Sequence, residues 1–370
     1  MGKLHLFFPE NDLALARDLE HYTAPPAAVK LRISGALLGM WYGAPGDIVV
    51  DYGTDSRWYD RVRTRYALAP AIYGGSPDGL VPAPWGWSKA ARLEFVRLGF
   101  GKESLPSDED LDVMRSLSHR RTAAIIADAL ASVVDFPLAP ASRELATLED
   151  VDAYVHATGE SVLKLPWSSS GRGIVLCSPS EFDSHRVEIE GLLNRQGSLM
   201  GEPRMKKTLD FALLFTMTNG KCHFDGYSLF RTVQFGSYAG NILAPQRMLH
   251  DEIAGRVPVL DRISEALPAV LEEIIGTGYD GPLGIDMMAV DGAPYCVAPA
   301  VELNLRMTMG HVCRMFYERH VVEGHRGTFT VTNRDSGIDD TVLEGNRIYS
   351  GRLSLSPPHS PFSFEVCLEA

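Results

Sequence analysis

The feature that most restricts the fold of this sequence is a six-residue segment in which polar and apolar side chains alternate. In residues 301–306 the apolar side chains are separated by Glu302, Asn304 and Arg306. Residues two apart lie on the same face of an extended chain, so these three polar side chains project from one face of a predicted β-strand. The alternative to a functional site is an edge strand with one wet face.

The chemistry of this polar face favours a site for a metal and a phosphate. A carboxylate and an amide oxygen, as in Glu302 and Asn304, are ligands that hard cations such as Mg²⁺ accept. The guanidinium of Arg306 can bind a phosphate or a carboxylate through two parallel hydrogen bonds. The segment therefore predicts a magnesium and phosphate site on a sheet.

A second carboxylate for this site is Asp286, which ends an earlier predicted strand over residues 281–286. If Asp291-Gly292 forms a two-residue hairpin turn, Asp286 lies opposite Val297, well before Glu302. A longer turn, or a bulge at Pro299, would bring the two carboxylates closer. The sequence leaves these alternatives open.

Length and composition indicate an enzyme-like body of two or three modules. The chain has 370 residues, of which 45% are hydrophobic and 22% are charged, close to the values of soluble globular proteins. The formal charge of −12 repels nucleic acid, and no basic patch offsets it, so we expect no nucleic-acid partner. Inside one cleft, however, local cations and a metal can still attract an anionic cofactor.

Membrane segments and cysteine-based sites are not expected. No run of 18 or more apolar residues occurs, and residues 1–8 lack the pattern of a signal peptide, so we expect a cytoplasmic protein without a membrane partner. The five cysteines are scattered and form no CxxC pair, which favours neither a disulfide framework nor a zinc site.

The first part of the chain is predicted to be an α/β module over residues 1–115. A short apolar run at residues 5–9 is followed by a polar loop and a helix over 13–20, and a second strand is predicted at 47–51. Asn11 follows the first strand, where ligands gather in open α/β sheets, so it is a candidate substrate contact.

The rest of the chain is predicted to alternate helices and hairpins. Residues 122–134 and a helix opened by Thr147 read as helices, with a strand near Pro137 and another over 161–165. Asn219-Gly220 is the turn of the clearest hairpin. A helix over 261–275, a hairpin near residue 291, a helix over 311–319 and a tail of short strands follow.

A second candidate site is a strand that ends near Lys164 and is followed by a loop rich in serine and glycine. The loop over residues 166–173 offers hydroxyl and amide donors that can fold over a triphosphate. It contains no Walker motif, and no dinucleotide-binding GxGxxG follows a strand. A short connector with one acid, Glu202, lies between this loop and the first hairpin.

In this order along the chain, the Lys164 strand and loop, the Glu202 connector and the Glu302-x-Asn304-x-Arg306 strand resemble the ATP-grasp superfamily over about residues 116–315. The resemblance implies an α/β and α+β protein. A Rossmann-like pre-ATP-grasp domain (1–115) would precede two ATP-grasp subdomains, over 116–200 and 201–370, the second with a C-terminal β extension.

The resemblance also implies a role for each motif residue, with ATP and Mg²⁺ as cofactors and Mn²⁺ as an alternative metal. Asp286, Glu302 and Asn304 would hold the metal, and Arg306 would stabilise charge during phosphoryl transfer. The implied nucleotide contacts are Lys164 for the phosphates, Ser169, Ser170, Gly171, Arg172 and Gly173 for the lid over them, Glu202 and Met205 for adenine, and Asp210 for the ribose.

Three further residues are weaker candidates, two from the resemblance and one from its position in the sequence. The superfamily has a basic residue, commonly lysine, before the first helix, and here Arg121 is the candidate. Arg231, after the first hairpin, matches a basic position that faces the transferred phosphate, so it is a second candidate catalytic residue. His311, beyond Arg306, is a candidate substrate contact, although a satisfied helix cap explains a lone histidine equally well.

The implied function is an ATP-dependent carboxylate-amine, or carboxylate-thiol, ligase that forms an acyl-phosphate intermediate. Its partners would be small-molecule carboxylate and amine substrates, with a homodimer left open. The alternatives are a small-molecule kinase of the same fold and a nucleotide-binding protein without turnover. No signature of a nucleophilic serine or cysteine occurs, which argues against hydrolysis by a catalytic triad.

Overall fold

The structure is a computed structural model that describes residues 1–54, 56–168, 173–233, 238–292, 294–333 and 337–369. Four predicted lid residues, Ser169, Ser170, Gly171 and Arg172, lie outside these ranges. Within these ranges the chain forms three sheets. Among the described residues, no helix is both long enough and apolar enough to cross a membrane.

The N-terminal sheet has four parallel strands in the order β3-β2-β1-β4. Its strands are β1 (Gly2–Leu6), β2 (Ile48–Val49), β3 (Ala71–Ile72) and β4 (Leu80–Pro84). Its helices are α1 (Asn11–Arg17), α2 (Pro26–Gly35), α3 (Gly39–Tyr42), α4 (Ser56–Arg65), α5 (Lys89–Arg97) and α6 (Asp108–Leu117), with 3-10 turns at Ala36–Leu38 and Lys102–Ser104. The expected α/β opening is confirmed, because a strand, a loop and a helix follow one another from residue 2 to residue 17.

The middle sheet has four antiparallel strands in the order β5-β8-β6-β7. Its strands are β5 (Arg143–Leu145), β6 (Ser161–Lys164), β7 (Ile174–Cys177) and β8 (Leu199–Pro203), and its helices are α8 (Leu148–Thr158) and α9 (Phe182–Gln196). The preceding helix, α7 (Arg121–Val133), packs against the C-terminal sheet. Thr147 caps α8 in a reciprocal capping box with Asp150, as its sequence predicts. The strand expected near Pro137 is wrong, because residues 134–142 form no regular element.

The C-terminal sheet has nine strands in the described residues, in the order β13-β12-β9-β10-β11-β14-β17-β16-β15. The strands are β9 (Lys207–Thr218), β10 (Lys221–Thr232), β11 (Tyr238–Leu243), β12 (Gly281–Val290), β13 (Val297–Asn304), β14 (Gly327–Thr332), β15 (Val342–Glu344), β16 (Arg347–Ser354) and β17 (Ser363–Leu368). The helices are α10 (Gln246–Ala254), α11 (Leu260–Ile275) and α12 (Met309–His320).

The clearest predicted hairpin is confirmed in this sheet. Asn219 and Gly220 have φ angles of 49° and 72° and join β9 to β10. A two-residue hairpin turn requires positive φ at both central residues, which asparagine and glycine adopt at low cost.

Three hydrophobic cores hold the sheets together. One core packs α7 and α11 against one face of β9, β12 and β13, and a smaller one fills the middle sheet. The remaining core joins the N-terminal sheet to α12 and to the tail strands, since it includes Leu4, Trp41, Phe316 and Phe364. The boundaries at residues 115 and 200 stay predictions.

Candidate functional site

The two predicted acidic ligands lie directly opposite each other on neighbouring strands. Asp286 of β12 pairs with Glu302 of β13, and Gly284 pairs with Asn304. The apolar residues that alternate with them, such as Ile285 and Leu303, pack into the core behind the sheet. This alternation places the acids on the opposite face.

Both alternatives that the sequence leaves open contribute to this pairing. The hairpin turn is longer than two residues, because the Val290 N–H donates to the Cys296 carbonyl at 2.9 Å. In addition, the register shifts between Asp286 and Met288, so that Met288 pairs with Ala298. The longer turn and the bulge together move Asp286 from Val297 to Glu302.

The electrostatics of the acidic pair fit a divalent cation. Burial, and then the charge of Glu302, raises the pKa of Asp286 to about 7, while a hydrogen bond from the Asn304 side chain acts in the opposite direction. Two ionised carboxylates at this distance repel each other. A divalent cation bound between them removes the repulsion, so the pair favours cation binding. In the described chain no group of three or more His, Cys, Asp or Glu side chains could hold a metal, so the candidate set is two carboxylates and one amide.

A buried arginine joins this pair to the loop after β6. The Arg120 guanidinium donates to Glu302 Oε1 at 2.8 Å, to the Leu165 carbonyl at 3.2 Å and to Ser168 Oγ at 3.3 Å. Arg121, the residue chosen from the sequence, points instead to Glu144 at 3.4 Å, and 47% of its side chain is exposed. The structure therefore brings Arg120, and not Arg121, to the acidic pair.

The predicted phosphate and adenine ligands form an ion pair across the middle sheet. The Lys164 ammonium contacts Glu202 Oε1, and the two side chains are 10% and 9% exposed. Met205 follows β8, and its carbonyl accepts a hydrogen bond from the Lys207 N–H at 3.0 Å. Gly173, at the end of the predicted lid, has a φ of 67°, which favours glycine. Lys164 and Glu202 thus lie together.

The two predicted residues on β9 and β10 project differently. Asp210 accepts hydrogen bonds from Lys207 at 2.6 Å and from Thr232 at 2.7 Å, and its charge contributes to the raised pKa of Asp286. Phe230 pairs directly with Asp210, and the next residue, Arg231, is exposed and projects from the opposite face of the strand. The structure brings Asp210, but not Arg231, towards the acidic pair.

Arg306 is engaged by the N-terminal part of the chain. Its guanidinium donates to both carboxylate oxygens of Asp12, at 2.7 to 3.1 Å. Although burial lowers the pKa of Arg306, the charges of Asp12 and then of Glu302 hold it above its usual value. Asn11 is 1% exposed, and its side-chain oxygen has no hydrogen-bond partner among the described residues.

Segments from the N-terminal, middle and C-terminal parts of the chain line one small cavity beside Glu302 and Asn304. Its lining residues are Asn11, Asp12, Ser118, Pro166, Trp167, Ser168, Glu302, Leu303, Asn304 and Leu305. His311 is absent from this set. It is buried beside Thr308, whose hydroxyl lies 2.9 Å from its Nδ1, and burial lowers the pKa of His311 to about 4.

Sequence reasoning missed Asp12 and Arg120. Asp12 lies 294 residues from Arg306, and only the fold reveals the contact. Arg120 directly precedes the predicted residue, Arg121. Because a helix begins at Arg121, the two side chains point in different directions, and that of Arg120 points inward. The one available signal was the pair of consecutive arginines.

No family model and no curated protein matches the sequence. Biotin carboxylase from Campylobacter jejuni, solved as a β-γ-ATP complex, matches with a TM-score of 0.54 and 12% identity over 99% of this chain and 87% of its own. The biotin carboxylase domain dimer of Hydrogenobacter thermophilus 2-oxoglutarate carboxylase, solved with MgADP, ADP and bicarbonate, matches with a TM-score of 0.53 and 14% identity over 100% and 86%.

A synthetase has a similar fold. N5-carboxyaminoimidazole synthetase from Staphylococcus aureus matches with a TM-score of 0.50 and 10% identity, over 100% of this chain and 93% of its own. At such identities a structural likeness establishes the fold and leaves the reaction open. The chain has the ATP-grasp fold, as the resemblance of its sequence predicts.

Proposed function

We propose that the protein is an ATP-dependent ligase that joins a small carboxylic acid to an amine, or to a thiol. The single observation that carries the proposal is the direct pairing of Asp286 and Glu302, with Asn304 beside them and a buried arginine on Glu302. In this proposal Asp286, Glu302 and Asn304 would hold the metal, and the arginine beside them would contact a phosphate. A protein that only bound a nucleotide would have little need for the complete set.

The proposed nucleotide site extends from the acidic pair to the middle sheet. Lys164 contacts the phosphates, Glu202 and Met205 contact adenine, and Asp210 contacts the ribose. Arg120 replaces Arg121 as the second phosphate ligand, because it reaches both Glu302 and the loop after β6. The described residues fit such a ligand, since several of these side chains are buried and charged.

In the proposed reaction, bound MgATP supplies a phosphoryl group whose charge the metal partly neutralises. A carboxylate oxygen of the substrate bonds to the γ-phosphorus as ADP leaves. The amine nitrogen then bonds to the acyl carbon, and phosphate leaves as the nitrogen loses a proton. Asp286, Glu302 and Asn304 hold the metal, and Arg306 stabilises the charge that develops on the phosphoryl group.

Supporting this assignment, the three structural neighbours named above are two carboxylases and a synthetase. One of them was solved with MgADP and as a dimer, so we extend the proposal to Mg²⁺ and leave a homodimer as a further expectation. The division into domains over residues 1–115, 116–200 and 201–370 belongs to the same proposal.

The test uses hydroxylamine in place of the unknown amine. Purified protein is incubated with MgATP, hydroxylamine and pools of metabolic carboxylic acids, and ADP and hydroxamate are measured together. The ligase predicts both products in equal amounts, and Glu302→Gln as the matched control abolishes both. If an acid pool drives ADP release but mass spectrometry detects neither a hydroxamate nor another acyl product, the ligase assignment is wrong and the kinase takes its place.

A further inference from the structure

Arg306 is held by a bidentate ion pair that joins the first helix to the end of β13. Its Nε donates to Asp12 Oδ1 at 3.0 Å, and its Nη2 donates to Asp12 Oδ2 at 2.7 Å. Its Nη1 donates to the Met307 carbonyl at 3.2 Å. The two side chains are 14% and 15% exposed, so water competes little for these bonds.

The edge of the N-terminal sheet also holds the backbone beside this pair. The Met307 N–H donates to the Trp85 carbonyl at 2.8 Å, and the Trp85 N–H donates to the Leu6 carbonyl at 2.8 Å. At Gly86, a Cβ would lie 2.6 Å from Asn11 Nδ2 and 2.9 Å from Arg306 Cβ, so only glycine fits between them. Side chain and backbone of Arg306 are therefore fixed by the same neighbouring segments.

This geometry leaves part of the guanidinium available. Arginine has five N–H donors, and the contacts above use three of them, one on each nitrogen. Within the described part of the chain, these contacts leave the second N–H groups of Nη1 and Nη2 unused. Because a carboxylate holds the Nε edge of this guanidinium, the group is fixed in orientation and its remaining donors keep one direction. Glu302 and Asp286 are near enough that their charges raise the pKa of Arg306.

We propose that Asp12 is a positioning residue that orients Arg306 for phosphoryl transfer. The inference rests on the proposed function, because it assigns Arg306 to the transferred phosphoryl group. Asp12 itself donates nothing and acts through the arginine. The N-terminal segment then contributes to catalysis by fixing one side chain of another sheet, and a misplacement of about 1 Å at such a group costs about a hundredfold in rate.

The first test asks whether Asp12 orders Arg306, and it needs no substrate. The Nε–Hε resonance of Arg306 is assigned by NMR from its absence in Arg306→Lys, and its exchange with solvent is measured in the wild type, in Asp12→Asn and in Asp18→Asn. Asp18 is the matched control, since it ends the same helix and pairs with Lys89 at 3.0 Å. We expect fast exchange in Asp12→Asn alone, and a signal as protected as in the wild type would overturn the proposal.

The second test measures turnover with the acid found by the hydroxylamine assay. Asp12→Asn should lower kcat about a hundredfold while the KM for ATP changes less than about twofold, and Asp12→Glu should recover part of the loss. Asp18→Asn should stay near wild type. In an Arg306→Ala background, Asp12→Asn should add no further loss, because the two residues act as one unit.

The outcomes separate this inference from the proposed function. An equal loss from Asp12→Asn with and without Arg306 would show that Asp12 does not act through the arginine, and would overturn the proposal. If the wild type forms no acyl product with any acid, the ligase fails. The exchange of the Arg306 resonance then still decides whether Asp12 holds the side chain.

Discussion

Replacing Asp286 by asparagine should stabilise the metal-free protein, and increasingly so as the pH rises. In the folded chain the pKa of Asp286 is raised from 3.8 to about 7, first by burial and then by Glu302. The folded state therefore binds a proton that the unfolded state has already released, and stability is lost as the pH rises towards 7. Asparagine is neutral at every pH and avoids this loss.

The magnitude follows from the same pKa. Between pH 5 and the folded pKa of about 7, each pH unit costs the wild type about 1.4 kcal/mol, so the advantage of Asp286→Asn should grow by about 3 kcal/mol between pH 5 and pH 8. The assay is thermal unfolding by circular dichroism in EDTA. Adding Mg²⁺ at pH 8 should raise the melting temperature of the wild type and leave that of Asp286→Asn nearly unchanged.

The control is Asp291→Asn, in the turn of the same hairpin. The hydrogen bond from Lys206 lowers the pKa of Asp291, so this carboxyl has finished titrating below pH 5 and its replacement should have the same effect at both pH values. If Asp286→Asn also shifts the melting temperature equally at pH 5 and pH 8, then burial and the charge of Glu302 do not raise the pKa of Asp286, and the reasoning is refuted.

Three further predictions address the nucleotide site. Glu302→Gln should abolish ADP release while keeping a cooperative melt near that of the wild type, and a variant with most of its activity would remove Glu302 from the metal set. Lys164→Ala should raise the dissociation constant of a non-hydrolysable ATP analogue, measured by calorimetry, about tenfold or more. The control variant Lys206→Ala should leave this dissociation constant unchanged. If Lys164→Ala also leaves it unchanged, the phosphates bind elsewhere. Arg120→Lys should weaken the same analogue, and Arg121→Lys should have little effect; the reverse order would restore Arg121 as the phosphate ligand.

The sequence predicted those parts of the fold that depend on local chemistry. Asn219-Gly220 determines its hairpin because both residues accept positive φ, and Thr147 determines a helix start through its capping box. Likewise, the alternation around Glu302 and Asn304 correctly predicts a strand, but β13 ends at Asn304, so Arg306 lies just beyond the strand on which it was expected.

The parts that the sequence did not predict depend on contacts between distant segments. Asp286 meets Glu302 only because a bulge and a longer turn add to each other, and neither has a reliable local signature. The segment near Pro137 resembles a strand in its sequence. Among the described residues, its one backbone hydrogen bond to a strand runs from the Ala139 N–H to the Val297 carbonyl, which is too little to form a sheet. Similarly, no local pattern indicates that the tail strands continue the sheet that carries the site.

The core that joins both ends of the chain has a consequence for the order of folding during synthesis. Trp41 donates to the Leu355 carbonyl across 314 residues, and Phe7 packs on Phe364 at 5.8 Å. At translation rates of about 5–20 residues per second, the N-terminal strands therefore remain without these partners for on the order of tens of seconds. The core of the middle sheet, by contrast, lies within residues 145–199 and can close much earlier. Trp41 and Phe7 are therefore synthesised long before Leu355 and Phe364, and the core around them closes only after those partners have been made.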